Sequence, residues 1–108
     1  MSTNVKEILV IGLGLIGSSI AKVSKEKGIK VHGFDIDEAS IKHALENNII
    51  DESFVSIEEI NNKNLTSYID LIVIAVSPEA TKHTINGVER LWNSDITITD
   101  TASVKAHL

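Results

Sequence analysis

Lys6-Glu7-Ile8-Leu9-Val10-Ile11-Gly12-Leu13-Gly14-Leu15-Ile16-Gly17 is the stretch on which the fold turns. Its branched apolar run is too short for a helix and breaks at a glycine, as a strand buried on both faces does. The pattern G-x-G-x-x-G follows at once. After it an amphipathic helix is expected from Ile16 to Lys27, with Ile16, Ile20 and Val23 at helical spacing and Gly28 as its stop. Lys30–Phe34 reads as a second strand, closed by Asp35. An acid about 20 residues beyond the glycines is where a dinucleotide-binding βαβ unit carries one.

The alternation continues down the chain. Asp37 can cap a second helix through about Asn47, with Ile41, Ala44 and Leu45 facing the sheet. Residues 49–69 are the least regular. A short third strand is expected near Ser53–Val55, a polar helix or turn around Ile57–Asn61, and a surface loop at Asn61–Asn64. Leu71–Val76 is wholly apolar and reads as a buried strand. Ser77 and Pro78 then suit the cap and first position of a helix running to about Trp92. Ile96–Thr99 is a further strand, and Val104–Leu108 begins a helix that is cut short. Strands alternating with helices predict an α/β fold, a Rossmann-type doubly wound parallel sheet with right-handed crossovers. The expectation is one domain over residues 1–108, truncated before its last strands, with Ile96–Thr99 left as an edge that invites self-association.

Composition narrows the setting. With 108 residues and 43% apolar content, the chain can bury roughly two-thirds of its unfolded surface. It has no cysteine, so it forms neither disulfides nor thiolate metal sites, and a cytoplasmic protein is expected. The four histidines show no ligand spacing beside carboxylates, so no metal is expected either. A net charge of −5 argues against nucleic acid or an anionic membrane as a partner. Lys22, Lys25, Lys27 and Lys30 fall on the solvated face and end of the first helix. Ile8–Ile16 is a poor secretory signal, since Glu7 offsets Lys6, glycines interrupt the run, and a long charged helix follows. No apolar window approaches the roughly 18 residues of a membrane span, so the protein is expected to be soluble.

Each glycine has a separate task. Gly12 makes the tight turn out of the strand, Gly14 lets backbone approach a pyrophosphate, and Gly17 lets the helix pack closely on the sheet. The helix start at Leu15–Ile16 directs free N–H groups and a positive dipole end at the phosphates. A carboxylate at Asp35 accepts from the adenosine ribose hydroxyls and repels a 2′-phosphate. No arginine follows it, so NAD is expected over NADP. The competing readings are that the glycines serve packing alone and that Asp35 caps the next helix, for which Asp37 is better placed.

Two more segments reach the same sheet edge. Ala75-Val76-Ser77-Pro78 can line the nicotinamide side through Val76, Ser77 and Pro78. Asp100-Thr101-Ala102-Ser103-Val104-Lys105 gathers an acid, two hydroxyls and a lysine after a buried strand, although Asp-Thr-Ala-Ser also suits a helix cap.

With these residues in view, the chain resembles the prephenate and arogenate dehydrogenases. The resemblance runs through Gly12–Ser19, Gly33-Phe34-Asp35, Asn48-Ile49-Ile50-Asp51-Glu52, Asp70–Pro78 and Thr99–Lys105. It implies a cytoplasmic enzyme that moves a hydride from prephenate or arogenate to NAD as carbon dioxide leaves. It also implies a catalytic role for Ser103, beside a histidine that lies past Leu108, with Asp100 at the cofactor end and Lys105 shaping the turn. Many relatives carry glycine where this chain has Ala102, which asks that turn to avoid positive φ. A mostly helical second domain that builds a homodimer is implied beyond residue 108. His32, His43, His83 and His107 are poor substitutes for the missing base. On this reading the chain binds cofactor without turning over substrate. The rivals are the cofactor domain of another β-hydroxyacid dehydrogenase or reductase, and a nucleotide-sensing module without catalysis.

Overall fold

Nearly every strand residue of β1 (Glu7–Ile11) is buried, because helices cover both faces of the sheet to which it belongs. The computed structural model describes residues 5–54, 56–62, 68–76 and 97–100. Among these, β1 is joined by β2 (Lys30–Phe34), β3 (Glu52–Ser53), β4 (Leu71–Ile74) and β5 (Thr97–Asp100). All pair in parallel, in the order β3-β2-β1-β4-β5. That order is the Rossmann order, and it reverses direction between β1 and β4.

Alternation along the strands divides the core in two. Ile8, Val10, Val31 and Val73 pack with Ala21 of α1 (Leu15–Glu26) and Ala44 of α2 (Glu38–Glu46) on one face. Leu9, Ile11, Phe34, Ile72 and Ile74 pack with Phe54 and with Ile60 of α3 (Ile57–Asn62) on the other. The doubly wound sheet expected from the sequence is therefore present.

Several local expectations are corrected. The buried residues of α1 are Gly17 and Ala21, whereas Ile16 and Val23 are 38% and 49% exposed. Close approach to the sheet requires small side chains on the contact line, and the large ones flank it. Leu45 likewise lies 40% exposed at the rim, and Ala44 carries the contact of α2. The third strand begins at Glu52 rather than Ser53, the fourth ends at Ile74, and β5 runs to Asp100. Asp37 accepts from the Ala39 amide and caps α2 as expected. The helix expected over 77–92 and the residues after Asp100 lie outside the described residues.

Two aspartates set these registers. The Asp51 amide donates to the Val31 carbonyl, and Asp51 Oδ2 accepts from the Val31 amide at 2.9 Å, placing Glu52 opposite His32. Burial opposes ionisation of Asp51, but the Val31 amide and Lys25, whose Nζ lies 3.2 Å away, together outweigh it and lower its pKa. Asp70 Oδ2 accepts from the amides of Lys6 and Glu7 at 2.8 and 3.0 Å, and its own amide donates to the Glu7 carbonyl. That aligns Ile8 with Leu71.

The Lys6 and Glu7 amides hold the Asp70 carboxyl below its usual range. Its folded pKa being the lower one, Asp70 contributes its full stability above the unfolded value near 3.8 and loses it as pH falls through the folded value. Asp70→Asn keeps the shape and removes the charge. It is expected to cost about 1 kcal/mol at pH 7 in urea unfolding, with the gap to wild type closing below about pH 3.8. A gap independent of pH would exclude a charge-assisted contact.

Candidate functional site

The carboxyl ends of β1 and β4 meet where the strand order reverses, the place where open α/β sheets hold ligands. The chain leaves β1 through Gly12 at φ +100°, a conformation that side chains resist. A Cβ there would lie 2.6 Å from the Ala75 carbonyl oxygen and 2.8 Å from Val76 Cγ1. Gly12 is thus pressed against the end of β4, and half-buried Val76 supports the turn from below.

Leu13 is the clamped residue of the loop. Its side chain is buried and its carbonyl accepts from Ser18 Oγ at 2.8 Å. Its amide donates to Asp35 Oδ2 at 2.6 Å. The other Asp35 oxygen accepts from the Asp37 amide at 2.8 Å. Asp35 therefore does not cap α2, a task that falls to Asp37. Sequence reasoning missed Ser18 and the clamp on Leu13. The serine after the third glycine was the available signal, and it carries no meaning until the helix folds back on the loop.

Gly14 follows, exposed, as the N-terminal boundary of α1. It adopts φ −75°, open to any residue, and among the described residues a Cβ there would meet nothing within 4 Å. Neither its φ nor crowding by the described residues therefore requires glycine at this position. No side chain caps α1 and no acid lies in its first turn, whereas α2 has both. The leading amides of Leu15, Ile16 and Gly17 have no intrahelical acceptor. Gly17 lies against the Gly12 carbonyl, with Ala75 Cβ 3.3 Å from where its own Cβ would be. Leu15 and Ile36 are 87% and 93% exposed, and they flank the loop.

Of the remaining expected site residues, Asp100 pairs in register with Ile74, which puts its backbone at this edge. Ser77, Pro78 and Ser103 lie outside the described residues. The family model for the prephenate dehydrogenase nucleotide-binding domain matches residues 20–108. The chain belongs to this family. Among solved structures, the domain is similar to a prephenate dehydrogenase from A. aeolicus, described in complex with hydroxyphenyl propionate and NAD+. The two are 26% identical, with a TM-score of 0.80 over 94% of this chain and 35% of that one. A Synechocystis arogenate dehydrogenase (21% identity, TM-score 0.70, 87% of this chain and 32% of that one) shares the fold. So does a 3-hydroxyisobutyrate dehydrogenase from Mycobacterium tuberculosis (17%, TM-score 0.71, 95% and 38%). The chain spans about a third of the length of these solved proteins.

Neither described histidine is among the residues that the structure brings to the switch-point edge. His32 is 4% exposed, with Nε2 2.9 Å from Glu7 Oε2 and Nδ1 3.3 Å from Glu52 Oε2. It lines a recess of about 550 Å³ near the opposite, amino-terminal ends of β1 and β2, together with Glu59 and Tyr68. There burial and the neighbouring Glu7, Glu52 and Glu59 push the Tyr68 phenol up. His43 is on α2, beside Asn47. No helix among the described residues is long and apolar enough to cross a membrane.

Proposed function

We propose that the chain binds NAD, its pyrophosphate over Gly12, Gly14, Leu15, Ile16 and Gly17 and its adenosine ribose on Asp35. The observation that carries this is Gly14. Among the described residues nothing lies within 4 Å of its Cβ position, at a helix start with no side-chain cap, where the leading amides have no intrahelical acceptor and the dipole end is positive. A glycine that the fold does not need suits backbone approach by a ligand. Asp35 fits the ribose as well. A carboxylate has about four lone-pair directions, and two amides use only one on each oxygen. Ile36 would give the adenine an apolar face next to that carboxylate.

The reading extends to the whole enzyme. The nicotinamide would accept the hydride in an oxidative decarboxylation of prephenate or arogenate. Val76, Ser77, Pro78 and Asp100 are proposed to border that end of the cofactor, and Ser103 to touch the substrate. A cytoplasmic homodimer follows the family pattern. The chain by itself is expected to bind cofactor without oxidising prephenate, because none of its described histidines is at the reacting edge.

Fluorescence titration tests the cofactor reading. Saturable binding of NADH, tighter than NADPH by at least about tenfold, is expected. A preference for NADPH, or no binding of either, would overturn it.

A further inference from the structure

We infer that Asp35 is a positioning residue for the phosphate loop as well as the acceptor for the ribose, so that the two halves of cofactor recognition share one carboxylate. The inference rests on the nucleotide reading proposed above. The backbone ladder between β1 and β2 ends at the pair Ile11 and Phe34. The next amide of the loop, that of Gly12, still reaches the Phe34 carbonyl at 2.7 Å. The amide after it belongs to Leu13, and its acceptor is a side chain, Asp35 Oδ2 at 2.6 Å. The carboxylate thus extends the β1–β2 ladder by one rung into the glycine loop.

Three further contacts make this rung effective. The Asp37 amide holds the other Asp35 oxygen, so the carboxylate plane is oriented before any ligand arrives. Ser18 fixes the Leu13 carbonyl, and the Leu13 side chain is buried, so Leu13 has little freedom left once its amide is held. Gly14 is bonded directly to Leu13, and its carbonyl accepts from the Ser18 amide at 2.9 Å. The position of Leu13 therefore sets where the phosphate-facing backbone of Gly14, Leu15 and Ile16 stands.

If Asp35 acted at the ribose alone, its removal would exchange NAD preference for NADP preference. If it also braces the loop, removal weakens even a nucleotide whose ribose carries no group for Asp35 to meet. ADP and 2′,3′-dideoxy-ADP separate these cases, because the second has no ribose hydroxyl for Asp35 to accept. Asp35→Ala is expected to weaken 2′,3′-dideoxy-ADP by about fivefold or more. Unchanged affinity for 2′,3′-dideoxy-ADP would overturn the positioning role while leaving the nucleotide reading intact. Wild-type protein that binds none of these nucleotides would instead overturn the nucleotide reading and this inference with it.

A measurement on wild type alone covers the case in which the variant does not fold. Amide hydrogen exchange in the ligand-free protein is expected to show Leu13 slowed well beyond Leu15 and Ile16, whose amides lead the helix. Exchange at Leu13 as fast as at those two positions would remove the brace on which the inference depends.

Discussion

Gly17→Ala is expected to destabilise the domain by about 3 kcal/mol or more, lowering the melting temperature by roughly 10–20 °C. Helix propensity alone predicts the opposite sign, since alanine within a helix is favoured over glycine by about 1 kcal/mol. The contact decides the matter. A Cβ at residue 17 would overlap the Gly12 carbonyl oxygen and come within 2.9 Å of its carbon, and both are backbone atoms of a turn held at φ +100°. Neither the turn nor α1 can yield cheaply, because Gly12 is itself pressed on Ala75 at the end of β4. The helix would have to lift from the sheet, giving up the contact made by Ala21. Thermal unfolding followed by circular dichroism checks this, and an unchanged or raised midpoint would mean that the helix does not rest on the turn.

Gly14→Ala, three residues earlier, is expected to do the reverse. Its φ of −75° suits alanine and its Cβ would meet none of the described residues, so stability should change by no more than about 1 kcal/mol, the loss of a slightly better N-terminal boundary residue. The added methyl group occupies the space through which a pyrophosphate would approach. NADH binding should weaken by at least about tenfold, or roughly 1.4 kcal/mol. Paired titration and melting curves separate the two glycines: one variant that unfolds easily, and one that is stable and binds poorly. Retained NADH affinity in a stable Gly14→Ala protein would place the phosphates elsewhere.

The extent to which the sequence could be read follows from these cases. β1 and β4 were legible because a parallel strand buried on both faces must be a short apolar run, and Ile8–Ile11 and Leu71–Ile74 are such runs. The cap at Asp37 was legible because capping is local. The buried face of α1 was misread from Ile16 and Val23, since apolar size marks the core only where helix and sheet are a full side chain apart. The start of β3 was one residue off because its register comes from Asp51 and Val31, 20 residues apart. The strand run near Leu71 ends at Ile74 rather than Val76, where the chain turns beneath Gly12.

By itself, the sequence determined the order of elements, the glycine turn, the acid that ends β2 and the family, because these depend on spacing along the chain and on the conformations single residues allow. Only the tertiary structure showed which of these glycines are crowded by backbone, and that Asp35 holds the Leu13 amide. Those distinctions depend on distances between segments far apart in the chain. Gly12 and Gly17 are crowded by each other and by the end of β4, while no described residue crowds Gly14. Three aspartates carry similar carboxylates, and the backbone amide each one meets after folding gives it its role. Asp51 and Asp70 align strands, and Asp35 holds the loop where a cofactor would rest.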